Sequence, residues 1–147
     1  MNAIPVMPKR LERVLCVDDE SDIQLIVLWS LEDVGGLTVH TSNSGAQACM
    51  IAPAFAPDLI MLDIQMPGMN GWQTIAALRA IPHTATTPII LLSASQQPDQ
   101  TVFARDSNVI GFIAKPFDPL TLAVQVRYLW SAAYPQDRLN TVKGTFD

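Results

Sequence analysis

The stretch of sequence that decides the fold is PDLIMLDIQMPGMNG, residues 57–71. Its apolar run, residues 59–62, has no polar alternation, which is typical of a strand buried on both faces of a parallel sheet. The turn residues at 66–68 and 70–71 predict that this strand ends directly after Asp63. We therefore expect Asp63 at the carboxyl edge of the sheet, where open α/β sheets bind their ligands.

Asp63 has an alternative interpretation as the cap of a helix that begins near Trp72. The intervening loop is too long for a carboxylate at position 63 to reach the first amides of that helix, so we favour a chemical role. A carboxylate at a strand end can coordinate a cation, act as a base or act as a nucleophile. The groups at the other strand ends decide among these roles.

The length and composition of the chain predict a single domain. With 147 residues, 49% of them hydrophobic and 16% charged, the chain can bury one sizeable core and is too short for a second ordinary domain that binds DNA or catalyses a reaction. We expect a flexible N-terminal lead-in over residues 1–11, the domain over residues 12–134 and a C-terminal tail over residues 135–147.

The charge of the chain disfavours nucleic acid as a partner. The formal net charge is −5, and the only basic cluster consists of Lys9, Arg10 and Arg13. The N-terminus lacks the residue order of a signal peptide, and no apolar run is long enough to span a membrane. Cys16 and Cys49 have no metal or redox spacing and are interpreted as small buried hydrophobes, which fits a reducing compartment. We expect a cytoplasmic protein.

Apolar stretches alternate with helical patterns along the chain. The strands are predicted at residues 14–17, 37–41, 58–63, 87–92 and 109–114. The helices are predicted at about residues 23–34, 44–53, 72–80, 98 onward and 119–133. With right-handed crossovers, this order predicts an α/β fold, a doubly wound five-stranded parallel sheet with five helices.

Functional groups follow four of the predicted strands. They are Asp18, Asp19 and Glu20 after the first strand, Asp63 after the third, Ser93 after the fourth and Lys115 after the fifth. Because the ends of parallel strands share one edge, these groups can converge. Clustered carboxylates repel each other unless a hard cation joins them, and an all-oxygen site suits Mg²⁺ or Mn²⁺. Such a metal neutralises charge while a phosphoryl group is transferred to Asp63, and Lys115 and Ser93 can bind the phosphoryl oxygens.

Each of these residues taken alone has an ordinary structural explanation. Asp18 or Asp19 can cap a helix, Ser93 can belong to a turn and Lys115 can be a surface charge. The combination, in this order on successive strand ends, is much more specific than any single residue.

The combination resembles the receiver domain of two-component response regulators, over about residues 12–133. The matching motifs are the acidic pair Asp18 and Asp19, the strand at 58–63 with its loop at 66–71, Ser93 followed by Ala94, and Lys115-Pro116-Phe117. The resemblance implies a flavodoxin-like receiver architecture and a phosphorelay function. Asp63 would accept a phosphoryl group from a sensor histidine kinase or a histidine phosphotransfer protein, and the protein–protein contacts of the domain would switch in response.

The resemblance also implies the ligands of the metal. Asp18, Asp19, Asp63 and the backbone carbonyl of Gln65 would bind Mg²⁺, or Mn²⁺ in its place. Members of this family usually have a cis peptide bond between the lysine and the proline that follows it, here Lys115 and its neighbour.

The same resemblance assigns a switch to Ser93 and Phe112. The hydroxyl of Ser93 would move toward phosphorylated Asp63, and the ring of Phe112 would turn from an exposed to a buried position. The family more often has threonine in place of Ser93, aspartate in place of Asn70 and tyrosine in place of Phe112.

Two other classes of protein share parts of this pattern. A flavodoxin-like cofactor binder needs a phosphate loop rich in glycine and hydroxyl groups after the first strand, where Asp18, Asp19 and Glu20 would repel a phosphate. An aspartyl-phosphate phosphatase needs a second acid two residues after its nucleophile, where this chain has Gln65. We therefore expect no enzyme activity beyond Mg²⁺-dependent self-phosphorylation and self-dephosphorylation.

The expected partners are proteins. A sensor histidine kinase or a phosphotransfer protein would supply the phosphoryl group, and a downstream target protein, which the sequence does not identify, would respond to it. We expect a stand-alone receiver that is a monomer or a weak dimer and that has neither nucleic acid nor membrane as a partner. A receiver excised from a longer chain is the alternative.

Overall fold

The computed structural model describes residues 10–94, 106 and 108–135 of the chain. Its strands are β1 (Arg13–Val17), β2 (Thr38–Ser42), β3 (Leu59–Asp63), β4 (Ile89–Ser93) and β5 (Val109–Ala114). Its α-helices are α1 (Ser21–Leu28), α2 (Gly45–Phe55), α3 (Gly71–Arg79) and α4 (Leu122–Ala133). A π-helical segment, Trp29–Val34, continues α1, and a 3-10 turn, Pro82–Thr84, follows α3. Within these residues, no helix combines the length and the apolar character needed to cross a membrane.

The five strands form one parallel sheet in the order β2-β1-β3-β4-β5. The strand order reverses between β1 and β3, which is where such sheets bind ligands. The register pairs Val17 with Leu62 and Asp63 with Leu92, so the carboxyl ends lie at one edge. The predicted doubly wound sheet is confirmed. The described residues form four α-helices, and the fifth predicted one, near Pro98, lies outside them.

Helices cover both faces of the sheet because its strands are apolar on both sides. One face packs against α1, its π-helical continuation and α4 through Val27, Leu31, Leu122, Val126 and Trp130. The other face packs against α2 and α3 through Ala48, Ala52, Phe55, Ile75 and Leu78. The strands β3 and β4 are buried along their whole length, as their lack of polar alternation predicts.

The first predicted helix changes its winding halfway. Beyond α1 it continues as the π-helical segment Trp29–Val34, whose turns contain more residues than those of an α-helix. The sequence predicts Val34 on the same face as Val27 and Leu31, but the wider turn rotates it outward, and 48% of its surface is exposed. The predicted left-handed stop is confirmed at Gly36, where φ is 73°.

The predicted end of the second helix is wrong. The sequence predicts that Pro53 terminates it, but Pro53 lies inside α2, which continues to Phe55. The proline removes one backbone donor without preventing one further half-turn. The helix ends where Ala56 takes a left-handed conformation, with a φ of 52°.

The last helix begins later than the sequence predicts. Asp118 and Pro119 start a turn rather than the helix, and the Asp118 carboxylate accepts a hydrogen bond from the Leu120 N–H at 2.9 Å. Ala133, predicted on the buried face of this helix, is exposed. The large side chain on that face is Trp130, with 1% of its surface exposed. The spacing of aliphatic residues alone therefore did not predict that Trp130 is the large buried side chain of this helix.

Arg79 ties the end of α3 to the segment that leads into β5. Its guanidinium pairs with Asp106, Nε to Oδ2 2.7 Å, and donates to the carbonyls of Thr84 and Thr87 at 2.9 and 2.6 Å. Burial alone would raise the pKa of Asp106, but hydrogen bonds from Arg79 and from the Asn108 N–H outweigh it and lower the pKa. The charged form of Asp106 therefore stabilises the fold.

We predict that Asp106→Asn lowers the free energy of unfolding by about 1–3 kcal/mol at neutral pH, because the variant loses charge-assisted hydrogen bonds. Since folding lowers the pKa of Asp106, its contribution is complete above the unfolded pKa of about 3.9 and is lost as the pH falls through the folded value. Urea unfolding from neutral pH down to acid pH measures the difference. The control, Asp33→Asn, removes an exposed carboxylate; equal losses in the two variants would contradict this assignment.

Candidate functional site

Two buried carboxylates lie at the carboxyl edge of the sheet. Asp18 follows β1 and has none of its surface exposed, and Asp63, the last residue of β3, has 4% exposed. The Asp18 N–H donates to the Ser42 carbonyl at 3.0 Å, and the Gln24 side chain donates to the Asp18 carbonyl at 2.6 Å. Backbone pairing and these hydrogen bonds therefore fix the two carboxylates close to each other.

The side chain of Lys115 reaches this edge from the end of β5. Its Nζ lies 2.6 Å from Oδ2 of Asp18, 3.2 Å from Oδ2 of Asp63 and 3.7 Å from Oε1 of Glu20. The Lys115 N–H donates to the Ser93 carbonyl at 2.7 Å, and the peptide bond that follows Lys115 is cis, as the resemblance implies. One ammonium group thus faces three carboxylates.

The pKa shifts follow from burial and from these contacts. Burial raises the pKa of Asp63, while the Gln65 N–H, 3.1 Å from its Oδ1, and Lys115 act in the opposite direction, and the neighbouring Asp18 raises it again. Burial alone would lower the pKa of Lys115, but the carboxylates of Asp18 and Asp63 outweigh it and raise the pKa. Folding therefore favours the charged form of Lys115 and disfavours the charged form of Asp63.

Four side chains form what we call the acidic cluster: Asp18, Asp19, Glu20 and Asp63. One carboxylate oxygen from each lies within 4.8 Å of the others. Hard divalent cations such as Mg²⁺ take oxygen ligands, and a cluster with more carboxylates than ammonium groups attracts them. The donors present at this edge therefore fit a magnesium ion.

The loop after β3 is held by Asn70 and Gly71. The Asn70 side chain caps α3 by accepting a hydrogen bond from the Gln73 N–H at 2.9 Å, and the Gln73 side chain accepts one from the Asn70 N–H, also at 2.9 Å. A Cβ at Gly71 would lie 2.7 Å from Cα of Ile64, so the backbone passes too close for a larger residue. Because Asn70 is the cap, Asp63 does not serve as one.

The predicted switch residues, Ser93 and Phe112, lie on the neighbouring strands β4 and β5. Ser93 is 9% exposed and pairs in register with Ala114, two residues beyond Phe112. The Phe112 ring is half-buried, packs against the core shared with α2 and α3, and borders a groove of about 360 Å³ that Val124 and Tyr128 also line. The ring thus occupies a position between full exposure and full burial.

The two cysteines lack reactive surroundings. Cys16 is fully buried in β1, and burial together with the charge of Asp18 raises its pKa to about 12. Cys49 is half-buried on α2, and burial raises its pKa as well. Both thiols therefore stay protonated near neutral pH, in line with their interpretation as hydrophobes.

The structure brings the predicted Asp18, Asp19, Asp63 and Lys115 together, and it links Ser93 to Lys115 through the backbone. Sequence reasoning did not identify one contributor to the site, Gln24, and it named Glu20 among the strand-end acids without making it a metal ligand. Gln24 braces the Asp18 backbone from the first turns of α1, and its signal is a polar residue on the buried side of an otherwise apolar pattern. The carboxylate of Glu20 lies 3.7 Å from Lys115 Nζ, at the strand end where the sequence places it.

The strand order, the paired acids and the strand-end lysine define the class of the protein as a receiver-type signalling domain. The family model described as response regulator receiver domain matches residues 14–127. The chain belongs to this family.

Solved structures support the same class. The chemotaxis protein CheY4 of Vibrio cholerae has a TM-score of 0.73 at 30% sequence identity, covering 82% of this chain and 99% of that one. The receiver domain of a signal transduction histidine kinase from Syntrophus aciditrophicus has a TM-score of 0.67 at 28% identity, covering 84% of this chain and 92% of that one.

Curated proteins with similar sequences include transcriptional regulators. RpaA of Synechocystis, described as a DNA-binding dual master transcriptional regulator, is 32% identical over 80% of this chain and 48% of its own length. PrrA of Mycobacterium tuberculosis is 38% identical over 80% of this chain and 49% of its own length. The chain spans about half the length of these curated relatives. A 14.6 kDa protein of Leptolyngbya boryana is 30% identical over 84% of this chain and 93% of its own length.

We predict that Asp63→Asn raises the melting temperature of the metal-free protein by about 2–5 °C. Because folding raises the pKa of Asp63, the stability gained from its protonation is present at low pH and is lost as the pH rises through the folded value. A neutral amide of the same shape removes this penalty at neutral pH. Scanning calorimetry in excess chelator measures the change, and added Mg²⁺ should stabilise the wild type more than the variant.

Asp18→Asn is the matched comparison. It relieves the same repulsion but loses the 2.6 Å contact with Lys115 and a charged acceptor for the Glu20 N–H, so its gain should be smaller. A lower melting temperature for both variants in chelator would show that the carboxylates are structurally satisfied.

Proposed function

We propose that the protein is a phosphorelay response regulator in which Asp63 accepts a phosphoryl group from the phosphohistidine of a sensor histidine kinase or a histidine phosphotransfer protein. The observation that carries this proposal is the position of the Asp63 carboxylate at a strand end, 3.2 Å from Lys115 Nζ and within the acidic cluster. Membership of the receiver family supports the reaction class.

In the transfer, a carboxylate oxygen of Asp63 forms a bond to phosphorus while the bond from phosphorus to the donor nitrogen breaks. The electron pair of that bond leaves with the imidazole of the donor. Lys115 already lies beside Asp63 and would hold the phosphoryl oxygens through its ammonium. Bound by Asp18, Asp19, Asp63 and the Gln65 carbonyl, Mg²⁺ or Mn²⁺ would supply positive charge to offset that of the phosphoryl group.

In this proposal the chain catalyses only its own modification: phosphoryl transfer to Asp63, and hydrolysis of the resulting aspartyl phosphate by water, which releases inorganic phosphate. An aspartyl-phosphate phosphatase carries a second acid two residues after its nucleophile, and Gln65 stands there. A flavodoxin-like cofactor binder would have to place a phosphate beside Asp18, Asp19 and Glu20, three acids at the first strand end. These two observations favour the receiver function over both alternatives.

The expected partners are a cytoplasmic phosphodonor protein and a downstream target protein. The net charge of −5 disfavours direct contact with nucleic acid. We therefore propose that the phosphorylated domain acts through protein contacts, as a monomer or a weak dimer.

We predict that acetyl phosphate or beryllofluoride modifies the wild-type protein at Asp63 only when Mg²⁺ or Mn²⁺ is present, because another anion cannot enter the acidic cluster without a divalent counter-charge. Intact-mass spectrometry after acetyl phosphate treatment, with borohydride trapping and peptide mapping, locates the modified residue. Modification elsewhere, or full reaction in excess chelator, would show that the assignment is wrong.

Asp58→Asn is the matched control for Asp63→Asn. Asp58 precedes β3 at the opposite edge of the sheet, where its Oδ2 accepts hydrogen bonds from the Glu12 and Arg13 N–H groups at 3.0 and 2.9 Å. Asp58→Asn should keep the reaction at Asp63, whereas Asp63→Asn should abolish it.

The proposed switch couples Ser93 to Phe112. A phosphoryl group on Asp63 presents oxygens that the Ser93 hydroxyl, at the end of the adjacent strand, can bind by moving inward. The half-buried ring of Phe112 can then turn into the space that Ser93 vacates, and it carries no hydroxyl that would need a partner when buried. A permanently buried and immobile Phe112 is the competing explanation.

We predict that beryllofluoride with Mg²⁺ increases the hydrogen-exchange protection of residues 108–117 in the wild type and not in Ser93→Ala. The reason is that Ser93→Ala keeps the phosphoryl-accepting carboxylate but lacks the hydroxyl that would move. Ser42→Ala, which alters another buried serine at a strand end, is the control and should respond like the wild type. Equal protection near Phe112 in all samples, with and without beryllofluoride, would contradict the coupling.

A further inference from the structure

Glu20 belongs to the acidic cluster but is not among the metal ligands proposed above. Its Oε1 lies 3.7 Å from Lys115 Nζ, and one of its carboxylate oxygens lies within 4.8 Å of those of Asp18, Asp19 and Asp63. Its side chain is 62% exposed, whereas those of Asp18 and Asp63 are buried. The carboxylate of Glu20 therefore lies on the solvent side of the cluster.

The backbone of Glu20 is fixed although its side chain is exposed. Glu20 is the N-cap residue of α1, where its carbonyl accepts a hydrogen bond from the Gln24 N–H at 3.1 Å and its N–H donates to Oδ1 of Asp18 at 2.9 Å. Its side chain makes no capping hydrogen bond to the helix. The carboxylate is thus available to the cluster rather than engaged with the helix amides.

A second observation concerns the charge around the buried carboxylate of Asp18. Oδ2 of Asp18 is buried, and among the described residues its close positive partner is Lys115 Nζ at 2.6 Å. This contact is a charge-assisted ion pair, and an ionised carboxylate has further acceptor sites on its two oxygens for another positive group. A carboxylate oxygen of Glu20 lies within 4.8 Å of one of Asp18 and adds negative charge to the acidic cluster.

The net charge of the site shows that Glu20 has opposite effects on a cation and on an anion. With Asp18, Asp19, Glu20 and Asp63 ionised and Lys115 protonated, a divalent cation leaves the site with one negative charge. Without the Glu20 charge, the same loaded site would be neutral. The Glu20 carboxylate therefore attracts the cation and repels an incoming anionic phosphoryl donor.

We propose that Glu20 is a positioning residue that raises the affinity of the site for Mg²⁺ and slows the reaction of Asp63 with anionic phosphoryl donors. This inference rests on the proposed function. It predicts that removing the charge of Glu20 lowers the affinity for Mg²⁺ and raises the rate of phosphorylation.

The test uses the full chain as wild type, Glu20→Gln and Asp22→Asn. Asp22→Asn removes one exposed carboxylate two residues away, in the first turn of α1, and controls for net charge. Isothermal titration with Mg²⁺ at low ionic strength should give a dissociation constant about threefold higher for Glu20→Gln, a modest factor because the group is exposed and screened. At saturating Mg²⁺, acetyl phosphate should modify Glu20→Gln about twofold to threefold faster than the wild type.

Both changes should shrink as salt is added, since screening weakens them. Equal affinity of wild type and Glu20→Gln, or changes of the same size in Asp22→Asn, would overturn the proposal, as would a slower reaction of Glu20→Gln at saturating Mg²⁺. If the wild type binds Mg²⁺ and is modified at Asp63 in these experiments, such results refute the role of Glu20 alone. Failure of the wild type to bind Mg²⁺ or to react at Asp63 would instead overturn the proposed function, and the role of Glu20 with it.

Discussion

The contact between one ammonium and two buried carboxylates is the interaction on which the rest of this structure depends. Lys115 Nζ lies 2.6 Å from Asp18 and 3.2 Å from Asp63, and these groups arrive from three different strands. Burying two acids without a positive partner would cost several kcal/mol, so the carboxyl edge of the sheet needs the lysine. The lysine in turn is held by the backbone at the end of β5, beside Ser93.

The fold is the means by which these strand ends meet. Helices on both faces allow every central strand to be apolar, and the reversal of strand order places β1 next to β3. The loop after β3 turns away from the strand end and leads into α3. The close approach of Gly71 to Ile64 and the cap formed by Asn70 hold it in this conformation. The strand order and the conformation of the loop after β3 therefore determine where the polar groups lie. The sequence indicates both features through its apolar runs and turn residues.

Sequence reasoning succeeded where one physical signal dominates. The apolar run before Asp63 was sufficient to predict β3. The acids, the hydroxyl and the lysine that follow the strands were sufficient to predict that these groups meet at one edge of the sheet. It failed where two local preferences compete. Pro53 disfavours a helix, yet tertiary packing of α2 carries the helix past it. Val34 continues an α-helical spacing, but the π-helical turn rotates it into solvent, and nothing in the spacing indicates an extra residue per turn.

The charges at the site oppose each other in a way that suits a switch. Burial and Asp18 raise the pKa of Asp63, so the metal-free domain carries a carboxylate that it would hold more favourably with a cation nearby. A cation would lower that cost and allow one more anion to bind, whereas an acid on the solvent side, as proposed for Glu20, would attract the cation and repel the anion. A site balanced in this way responds to small changes in charge, because no single ligand satisfies all of its groups. In the proposed function, a modification at Asp63 would redistribute the contacts of Lys115, and through the backbone link of Lys115 to Ser93 this change would reach β4 and β5.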